Sequence, residues 1–458
     1  MAGRARGSAC DPDMRTSWWP GAAATGESLG DVHASDQEEE PSMPVQHESR
    51  LRGEPRVAPG RAEHMRLKLL GFASLLVVTA LAVFTAGAGP ASATASPVVG
   101  HVYVNDNTAV VNTVAGFDRH ADGSLSPISG SPFATGGAGT GTTVPSQGAL
   151  QISADGRYLL AVDAGSNEIS VLRIAHDGAL RQIHGGTVPS GGLEPVSIAV
   201  HGRLAYVANA GDGGSNYTGF TLNGGGRLRP LAASTAPLPD GSAPGDVLFN
   251  STGTNLLGVR VDPSLIDSFA VGSDGRLEAA PGSPFATQGA GPFGSEFRPT
   301  NPSQVFVSNA HDGAGNGTVS AFGVAADGSL SAVGGSPFPD LQTAPCWVEI
   351  SHDGEFLFAV NTGSDSIARY AIATDGSLTL LGNTSLGGGV STPFDARLAP
   401  DGRTLWVLDT GSATVSGFAV SGGSLAELPS SPTSLPAGAT AFGIVVTSSR
   451  QPRGRTDR

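Results

Sequence analysis

The chain has 458 residues, a formal net charge of −14 and only 14% charged residues. Its 66 glycines and 32 prolines indicate many turns and few charged helical faces, which is typical of an all-β protein. Hydrophobic residues make up 39% of the chain, too many for wholesale disorder. The only lysine, Lys68, precedes the repeats described below, and an acidic, lysine-free surface repels phosphate backbones. We therefore expect no nucleic-acid partner.

The first predicted element is an export signal at residues 65–93. Arg66 and Lys68 form a short basic region, and an apolar run follows from Leu69 to Ala86. Ala91–Ala93 then offers the small-x-small pattern that a signal peptidase needs. A cleaved secretory signal is the favoured interpretation. An uncleaved anchor is the alternative, because the run is nearly long enough to span a bilayer.

The segments on either side of the repeat region are polar and carry no periodic pattern. Residues 1–64 are predicted to be either a disordered extension or a misassigned gene start, with Met65 as the true first residue. Residues 449–458 are predicted to be a disordered tail. The mature protein, starting near Thr94, is expected to be secreted, extracellular or attached to the cell envelope, without stable insertion into a membrane.

Between these segments a repeat of 48 to 53 residues runs along the chain. Each copy begins with a short apolar strand. A turn of the Asp-Gly type leads to a second strand that ends in Asn or Asp, and a third and a weaker fourth strand follow. Such strands, separated by Gly, Asp and Asn turns, predict four antiparallel strands per unit, and radial stacking of the units buries both apolar faces. The opening residues of the six full copies are Gln147, Pro195, Pro244, Pro292, Pro345 and Pro393.

The two ends of the repeat region predict how the ring closes. Ahead of the first full copy the sequence supplies only three strands, and after the last copy AFGIVVTS at 441–448 supplies one strand of the opening type. Three strands plus one make a seventh blade whose innermost strand is C-terminal, which removes the largest free edge. The predicted fold is therefore all-β: a seven-bladed β-propeller over residues 98–448, with four antiparallel strands per blade and the first blade closed by the C-terminal strand.

The second strands resemble a known repeat. They read AYVANAG, VFVSNAH and LFAVNTG, each followed by a Gly/Ser turn and a strand such as TVSAFGV, with PDGR-type turns ahead of them. These motifs resemble the YVTN-type repeats of the seven-bladed β-propeller lactonase family, which includes 6-phosphogluconolactonases and carboxymuconate-cyclising enzymes. The resemblance covers residues 98–448 and implies a lactonase-like or cycloisomerase-like protein that acts on a small lactone or sugar acid.

One segment of the family's site carries over in part. The family's SNRGHD pattern matches Ser308–Asp312, in which His311 and Asp312 are present and the arginine is absent. The resemblance makes His311 a candidate catalytic residue, with a solvated loop histidine as the alternative. Thr362 stands where the family's VVNE segment has its glutamate. This departure favours a binding protein without catalysis.

The opening strand of each blade lines the central channel of a propeller and starts at the top face. Aligned positions on these strands therefore predict which side chains meet near the axis, since side chains two residues apart share a face. At the second position after the opening residue, the candidates for ligand binding are Asp246, Trp347 and Asp395. At the fourth position, three adjacent blades carry the candidate catalytic residues Glu296, Glu349 and Arg397.

Two interpretations of this charged cluster stay open. Charges rarely enter such strands unpaired, because desolvation costs several kcal/mol. Arg397 therefore either neutralises Glu349 between blades or binds a ligand together with the carboxylates, and two close carboxylates raise one pKa in a way that suits general acid or base work. Arg260 replaces the Asn or Asp that ends the other second strands. It is a further ligand-binding candidate, with pairing to Asp262 as the alternative.

Three functions are compatible with these patterns. The first is a secreted lactonase-like or cycloisomerase-like hydrolase whose site opens at the top face of the channel. The second is a non-catalytic propeller that binds a small ligand, a glycan or a protein partner, and the third is a structural protein of the cell envelope. The histidine and cysteine spacings predict no metal site, and no cofactor is expected. We expect a monomer.

Overall fold

The computed structural model describes residues 96–387 and 391–449. Within these ranges all regular secondary structure consists of β-strands, and the strands form seven antiparallel sheets. The prediction of an all-β, seven-bladed propeller is confirmed. No helix that is long and apolar enough to cross a membrane occurs in this part of the chain. The predicted extension at 1–64, the signal at 65–93 and all but the first residue of the tail at 449–458 lie outside the described residues.

The sheets follow one another along the chain as seven blades. The first blade contains β1–β4 and β33, the second β5–β8, the third β9–β13, the fourth β14–β18, the fifth β19–β23, the sixth β24–β27 and the seventh β28–β32. The strands are β1 (Val98–Asn105), β2 (Thr113–His120), β3 (Leu125–Pro127), β4 (Phe133–Ala134), β5 (Leu150–Ile152), β6 (Tyr158–Asp163), β7 (Glu168–Ile174), β8 (Leu180–Pro189), β9 (Pro195–His201), β10 (Leu204–Asn209), β11 (Asn216–Leu222), β12 (Leu228–Pro230), β13 (Ala236–Pro237), β14 (Pro244–Phe249), β15 (Asn255–Arg260), β16 (Leu265–Val271), β17 (Leu277–Ala279), β18 (Phe285–Ala286), β19 (Pro292–Phe297), β20 (Gln304–Asn309), β21 (Thr318–Val324), β22 (Leu330–Ala332), β23 (Phe338–Pro339), β24 (Pro345–Ile350), β25 (Phe356–Asn361), β26 (Ser366–Ile372), β27 (Leu378–Ser385), β28 (Pro393–Leu398), β29 (Thr404–Asp409), β30 (Thr414–Ser421), β31 (Ser424–Glu427), β32 (Thr433–Ser434) and β33 (Ile444–Ser448).

The two ends of the described chain meet in the first blade. Its sheet has the order β3–β2–β1–β33, so the C-terminal strand is the innermost one. β33 runs antiparallel to β1, with Val102 opposite Val446 and Val104 opposite Ile444. This pairing confirms that the C-terminal strand closes the ring, and it covers the edge of β1 that faces the channel.

The fourth strand is split into two short pieces in five of the seven blades. In the first blade β3 and β4 both pair with β2, and the third, fourth, fifth and seventh blades repeat the arrangement. At each break a serine hydroxyl oxygen accepts a hydrogen bond from a backbone N–H of the third strand, as Ser131 does from Gly116 at 2.9 Å and Ser336 from Ala321 at 2.8 Å. The serine thereby satisfies an N–H that the interrupted ladder leaves without a partner.

The hydrophobic core lies between neighbouring blades. Tyr206 of the third blade packs edge-to-face on Phe249 of the fourth, with ring centroids 6.1 Å apart, and Tyr217 packs in the same way on Phe269 at 5.9 Å. Both tyrosines are completely buried. Because alternate residues of each strand point to opposite faces, a blade has two apolar faces and needs a neighbour on each side.

Candidate functional site

The top half of the central channel is closed by Gln147, which precedes β5; the top face is the one at which the inner strands begin. The side-chain amide of Gln147 donates to the carbonyl oxygens of Ser295 at 3.2 Å and Val348 at 3.3 Å, and its oxygen accepts from the N–H of Val348 at 3.3 Å. Gly294 makes room for it, because a Cβ there would lie 2.2 Å from Gln147 Oε1. One side chain of the second blade thus reaches the fifth and sixth blades.

Aromatic rings fill much of the remaining top half. The ring of Trp347 lies 5.6 Å from that of Phe293 and 5.0 Å from that of Phe394. Trp347 is fully buried, and its indole N–H donates to the carbonyl oxygen of Ser146 at 2.8 Å. Trp347, a candidate for ligand binding, therefore packs among other side chains and exposes no surface to a ligand in this structure.

A cavity of about 240 Å³ occupies the bottom half of the channel. The early positions of the inner strands are buried, and partly exposed side chains appear only farther along them, at Gln151, Leu248, Glu296 and Arg397, which all line the cavity. The charged cluster therefore opens toward the bottom face. The expectation of a top-face site is corrected, because Gln147 and the aromatic rings close that end.

The structure brings the three charged residues of the fourth position together. Arg397 Nη1 lies 2.9 Å from Glu349 Oε2 and 3.7 Å from Glu296 Oε2. The other oxygen of Glu349 accepts a hydrogen bond from the backbone N–H of Leu398 at 3.0 Å. Glu349 is therefore tied to the next blade by both of its oxygens, whereas the side chain of Glu296 keeps 27% of its surface exposed.

The electrostatics of the cluster keep one carboxyl group neutral. Burial, together with the negative charge of Glu349, raises the pKa of Glu296 to about 8, although Arg397 opposes the shift. Burial alone would lower the pKa of Arg397, but the charges of Glu349, Asp395 and Glu296 outweigh it and raise that pKa. At neutral pH the cluster therefore presents a protonated Glu296 beside a charged Arg397.

The two aspartates of the second position link neighbouring blades. Asp246 Oδ2 accepts hydrogen bonds from the N–H of Ser295 at 3.1 Å and from its hydroxyl at 2.7 Å, and Asp395 Oδ2 accepts from the N–H of Ile444 at 3.1 Å. Burial raises the pKa of Asp246 to about 7 and that of Asp395 to about 6. Asp246 lines the cavity, and both carboxyls bind an inner-strand N–H of the next blade.

Arg260, at the end of β15, is buried and already paired. Its guanidinium donates to both oxygens of Asp267, with Nε 2.7 Å from Oδ2, and the hydroxyl of Tyr217 donates to the same carboxylate at 3.0 Å. The partner is thus Asp267 of the adjacent strand β16, and the proposed pairing with Asp262 is corrected. The ion pair joins the third and fourth blades through Tyr217.

His311 lies apart from the charged cluster. Pro292 pairs with Asn309 and Glu296 with Phe306, so His311 follows the top end of this strand pair. Glu296 lies four residue steps along the strand from Pro292 at that end, which is ~13 Å at ~3.3 Å per residue. The structure therefore does not unite His311 with Glu296, Glu349 and Arg397. Among the described residues, no group of three or more His, Cys, Asp or Glu is placed to hold a metal ion.

Several residues of the cavity wall were not candidates from the sequence. Gln147, Gln151 and Ser295 contribute polar groups, and Leu248 and Phe249 contribute apolar surface. A signal for Gln147 was present, because it replaces the proline that opens the other five full copies of the repeat. Gln151 and Leu248 stand at the same fourth position as Glu296, so alternation along the strand already directs them toward the axis, but neither carries a charge that marks it as a candidate.

The family model of the seven-bladed beta-propeller lactonases matches residues 73–249 and 316–439. The chain belongs to this family. The match covers both the N-terminal and the C-terminal blades of the ring, and the resemblance seen in the second strands is confirmed. No curated protein matches the chain in sequence.

Solved structures share the fold of this lactonase-family propeller. A protein from Bacteroides uniformis, provisionally named a 6-phosphogluconolactonase, is 21% identical with a TM-score of 0.62, over 76% of this chain and 99% of its own. A periplasmic gluconolactonase from Pseudomonas aeruginosa is 19% identical with a TM-score of 0.59, over 76% of this chain and 99% of its own. At these identities the similarity shows the fold alone.

Proposed function

We propose that this propeller binds a small lactone or sugar acid in the cavity at the bottom of the channel and hydrolyses the lactone. The observation that carries the proposal is the position of Glu296, whose carboxyl group faces the cavity with Arg397 3.7 Å away. Membership of the lactonase family supports this class of substrate.

The two side chains supply complementary groups for opening a lactone ring. Since its pKa is raised to about 8, Glu296 is protonated at neutral pH and donates a hydrogen bond to the lactone. Arg397 stabilises the negative charge that develops on the carbonyl oxygen when water attacks. A bond forms between the carbonyl carbon and water and the bond to the ring oxygen breaks. The ring oxygen takes the proton of Glu296, and the proton that the water loses restores the acid.

The size and charge of the cavity favour a small lactone or sugar acid without a phosphate group. Its volume of about 240 Å³ lies below the ~300–1,000 Å³ of most ligand pockets, which limits it to a small molecule. Among the described residues that line the cavity, Arg397 is the only cationic one, and the carboxylate of Glu349 already neutralises it. A phosphorylated sugar would meet no unpaired cation, whereas the amide of Gln151 suits hydroxyl groups.

A second candidate function is binding without catalysis, with a small ligand, a glycan or a protein partner as the bound species. The observation that favours it is the set of hydrogen bonds made by Glu349, which holds both Arg397 and the N–H of Leu398. In this alternative the ion pair orders the channel, and the bound molecule leaves unchanged.

Turnover and binding measured on the same protein separate these functions. With δ-gluconolactone as the probe, acid release is followed and corrected for spontaneous hydrolysis, and gluconate binding is followed by calorimetry. We expect Glu296→Gln to lower kcat by ~100-fold or more, since general acid catalysis contributes ~10²–10⁴-fold, while gluconate still binds. Glu278→Gln, on exposed strand β17, is the control. Binding without turnover in the parent supports the second function, and absence of binding overturns the proposal.

We also propose that the mature protein acts outside the cytoplasm, free or at the cell envelope, as a monomer. The basic start, the apolar run at 69–86 and Ala91–Ala93 support export, and the similar Pseudomonas aeruginosa protein is named periplasmic. Sequencing the N-terminus of protein from the medium and the envelope should give a start near Thr94. Membrane-retained protein that still begins at Met1 or Met65 would contradict export by cleavage.

A further inference from the structure

The hydrolysis proposed above requires a group that accepts a proton from water. When water attacks the carbonyl carbon of a lactone it loses a proton, and a positioned carboxylate is one group that can accept it. Among the described residues that line the channel cavity, two carry a carboxyl group, Asp246 and Glu296. Glu296 supplies the proton for the ring oxygen, so Asp246 is the carboxyl group of this lining that remains to act as a base.

Electrostatic interactions connect Asp246 to the two side chains of the proposed reaction. Burial has the largest effect on each pKa; beyond it, the positive charge of Arg397 lowers the pKa of Asp246, and the negative charge of Asp246 raises those of Glu296 and Arg397. Among the described residues, buried Tyr217 is a further titratable group whose pKa Asp246 raises. Because such interactions weaken with distance, Asp246 faces the same part of the channel as the acid and the cation.

The hydrogen bonds of Asp246 suit a group that gains and loses a proton. Its Oδ1 accepts from the hydroxyl of Ser197 at 3.2 Å, and its Oδ2 accepts from the hydroxyl of Ser295 at 2.7 Å and the N–H of Ser295 at 3.1 Å. A serine hydroxyl can rotate and accept a hydrogen bond as well as donate one, so the carboxyl group keeps partners after it takes up a proton. Burial raises its pKa to about 7, and both forms therefore coexist at neutral pH.

Asp395 occupies the same position of the repeat in the seventh blade and provides a comparison. Its Oδ2 accepts from the N–H of Ile444 at 3.1 Å, and its Oδ1 accepts from the N–H of Ala396 at 2.8 Å. A backbone N–H only donates, so these contacts favour the ionised form alone. Asp395 is also absent from the described lining of the cavity. Both aspartates thus join neighbouring blades, but Asp246 combines that contact with access to the cavity.

We propose that Asp246 is the general base of the lactone hydrolysis, an inference that rests on the function proposed above. Its carboxylate takes one proton from the attacking water while the oxygen of that water bonds to the carbonyl carbon. Arg397 stabilises the negative charge on the carbonyl oxygen, and the bond to the ring oxygen then breaks as that oxygen takes the proton of Glu296. The proton on Asp246 passes to Glu296, which restores both groups, and the second hydrogen of the water stays on the new carboxyl group.

Kinetics with δ-gluconolactone, corrected for spontaneous hydrolysis, test this role. We expect Asp246→Asn to lower kcat by ~100-fold or more, since a general base contributes ~10²–10⁴-fold, while gluconate still binds. Asp395→Asn is the matched control. It changes the same kind of contact between blades outside the cavity, so it should lose stability to a similar degree and retain far more turnover. Melting curves of both variants show whether they are folded.

The pH dependence of kcat/KM gives a readout that a structural role would not change. The base must be ionised and the acid protonated, so the profile should rise near pH 7, with the pKa of Asp246, and fall near pH 8, with that of Glu296. Asp246→Asn should lack the acidic limb, whereas Asp395→Asn should keep it. Formate, a small carboxylate, should restore part of the turnover of Asp246→Ala and should not raise that of Asp395→Ala.

Kinetics of the parent protein distinguish failure of the base from failure of the hydrolysis. Absence of lactone turnover in the parent contradicts the hydrolysis, and the base role with it. Turnover in the parent with equal losses of kcat in Asp246→Asn and Asp395→Asn, or without an acidic limb, overturns the role of Asp246 alone. The parent's pH profile remains a test even if Asp246→Asn does not fold.

Discussion

Gln147 of the second blade and Val348 of the sixth exchange two hydrogen bonds across the channel, each 3.3 Å long. These blades are not adjacent in the ring, and no strand pairing joins them. The contact therefore links distant parts of the propeller. It also closes the top of the channel, so that the cavity with Glu296 and Arg397 opens toward the bottom face.

Replacement of Gln147 with Ala should destabilise the ring. The buried N–H and carbonyl of Val348 would lose their partner, which costs ~1–3 kcal/mol of unfolding free energy. Chemical denaturation followed by fluorescence measures this change. Gln151→Ala, on the partly exposed cavity wall, is the matched control and should change stability by less than ~0.5 kcal/mol. Equal losses in the two variants would show that the cross-channel contact has no special role.

The ion pair of Arg397 and Glu349 predicts that a double substitution recovers stability that a single substitution loses. The two side chains are 19% and 10% exposed, so Arg397→Gln leaves a nearly buried carboxylate unpaired and should cost ~3–5 kcal/mol of stability. Glu349→Gln together with Arg397→Gln removes both charges and should recover much of this loss, while lactone turnover stays absent. Thermal and denaturant unfolding of both variants give the comparison. If Arg397→Gln is as stable as the parent protein, the ion pair does not stabilise the fold.

Closure by β33 predicts different outcomes for two truncations. Deletion of 441–448 removes the strand that pairs with β1 and exposes the inner edge of the first blade, so cooperative melting should be lost or the protein should aggregate. Deletion of 450–458 should leave melting unchanged. Calorimetry and light scattering report both effects. Similar melting of the two truncated proteins would contradict closure of the ring by β33.

The buried carboxyls predict a stability that falls as pH rises from about 5 to about 8. Burial raises the pKa of Asp246 and Asp409 to about 7 and that of Glu296 to about 8, from ordinary values of 3.8 and 4.5. Between the two sets of values the folded protein holds more protons than the unfolded chain, so the unfolding free energy decreases with pH. Melting temperatures at constant ionic strength measure this slope. Glu296→Gln should flatten it, and a melting temperature that climbs across this range would contradict the assignment.

The architecture was largely predictable because each blade is a local unit. Strand lengths, turn residues and the surplus strand at 441–448 can each be recognised in a short stretch of consecutive residues. Radial stacking of the blades, with closure by that strand, is the one arrangement that accounts for all of them. The split of the fourth strand was not predicted. It depends on serine side chains such as Ser131 that reach back to the third strand.

The meeting of Glu296, Glu349 and Arg397 was also predictable, because alternation along a strand determines which side chains face the axis. The sequence by itself thus determined the blades, the closure of the ring and the position of the charged cluster along the channel axis. Tertiary structure decided the rest: which end of the channel is open, and that Arg260 pairs with Asp267. The contact between Gln147 and Val348 spans 201 residues of sequence. No periodic pattern encodes it, since a contact between non-adjacent blades depends on the ring's diameter and on the side chains that fill it.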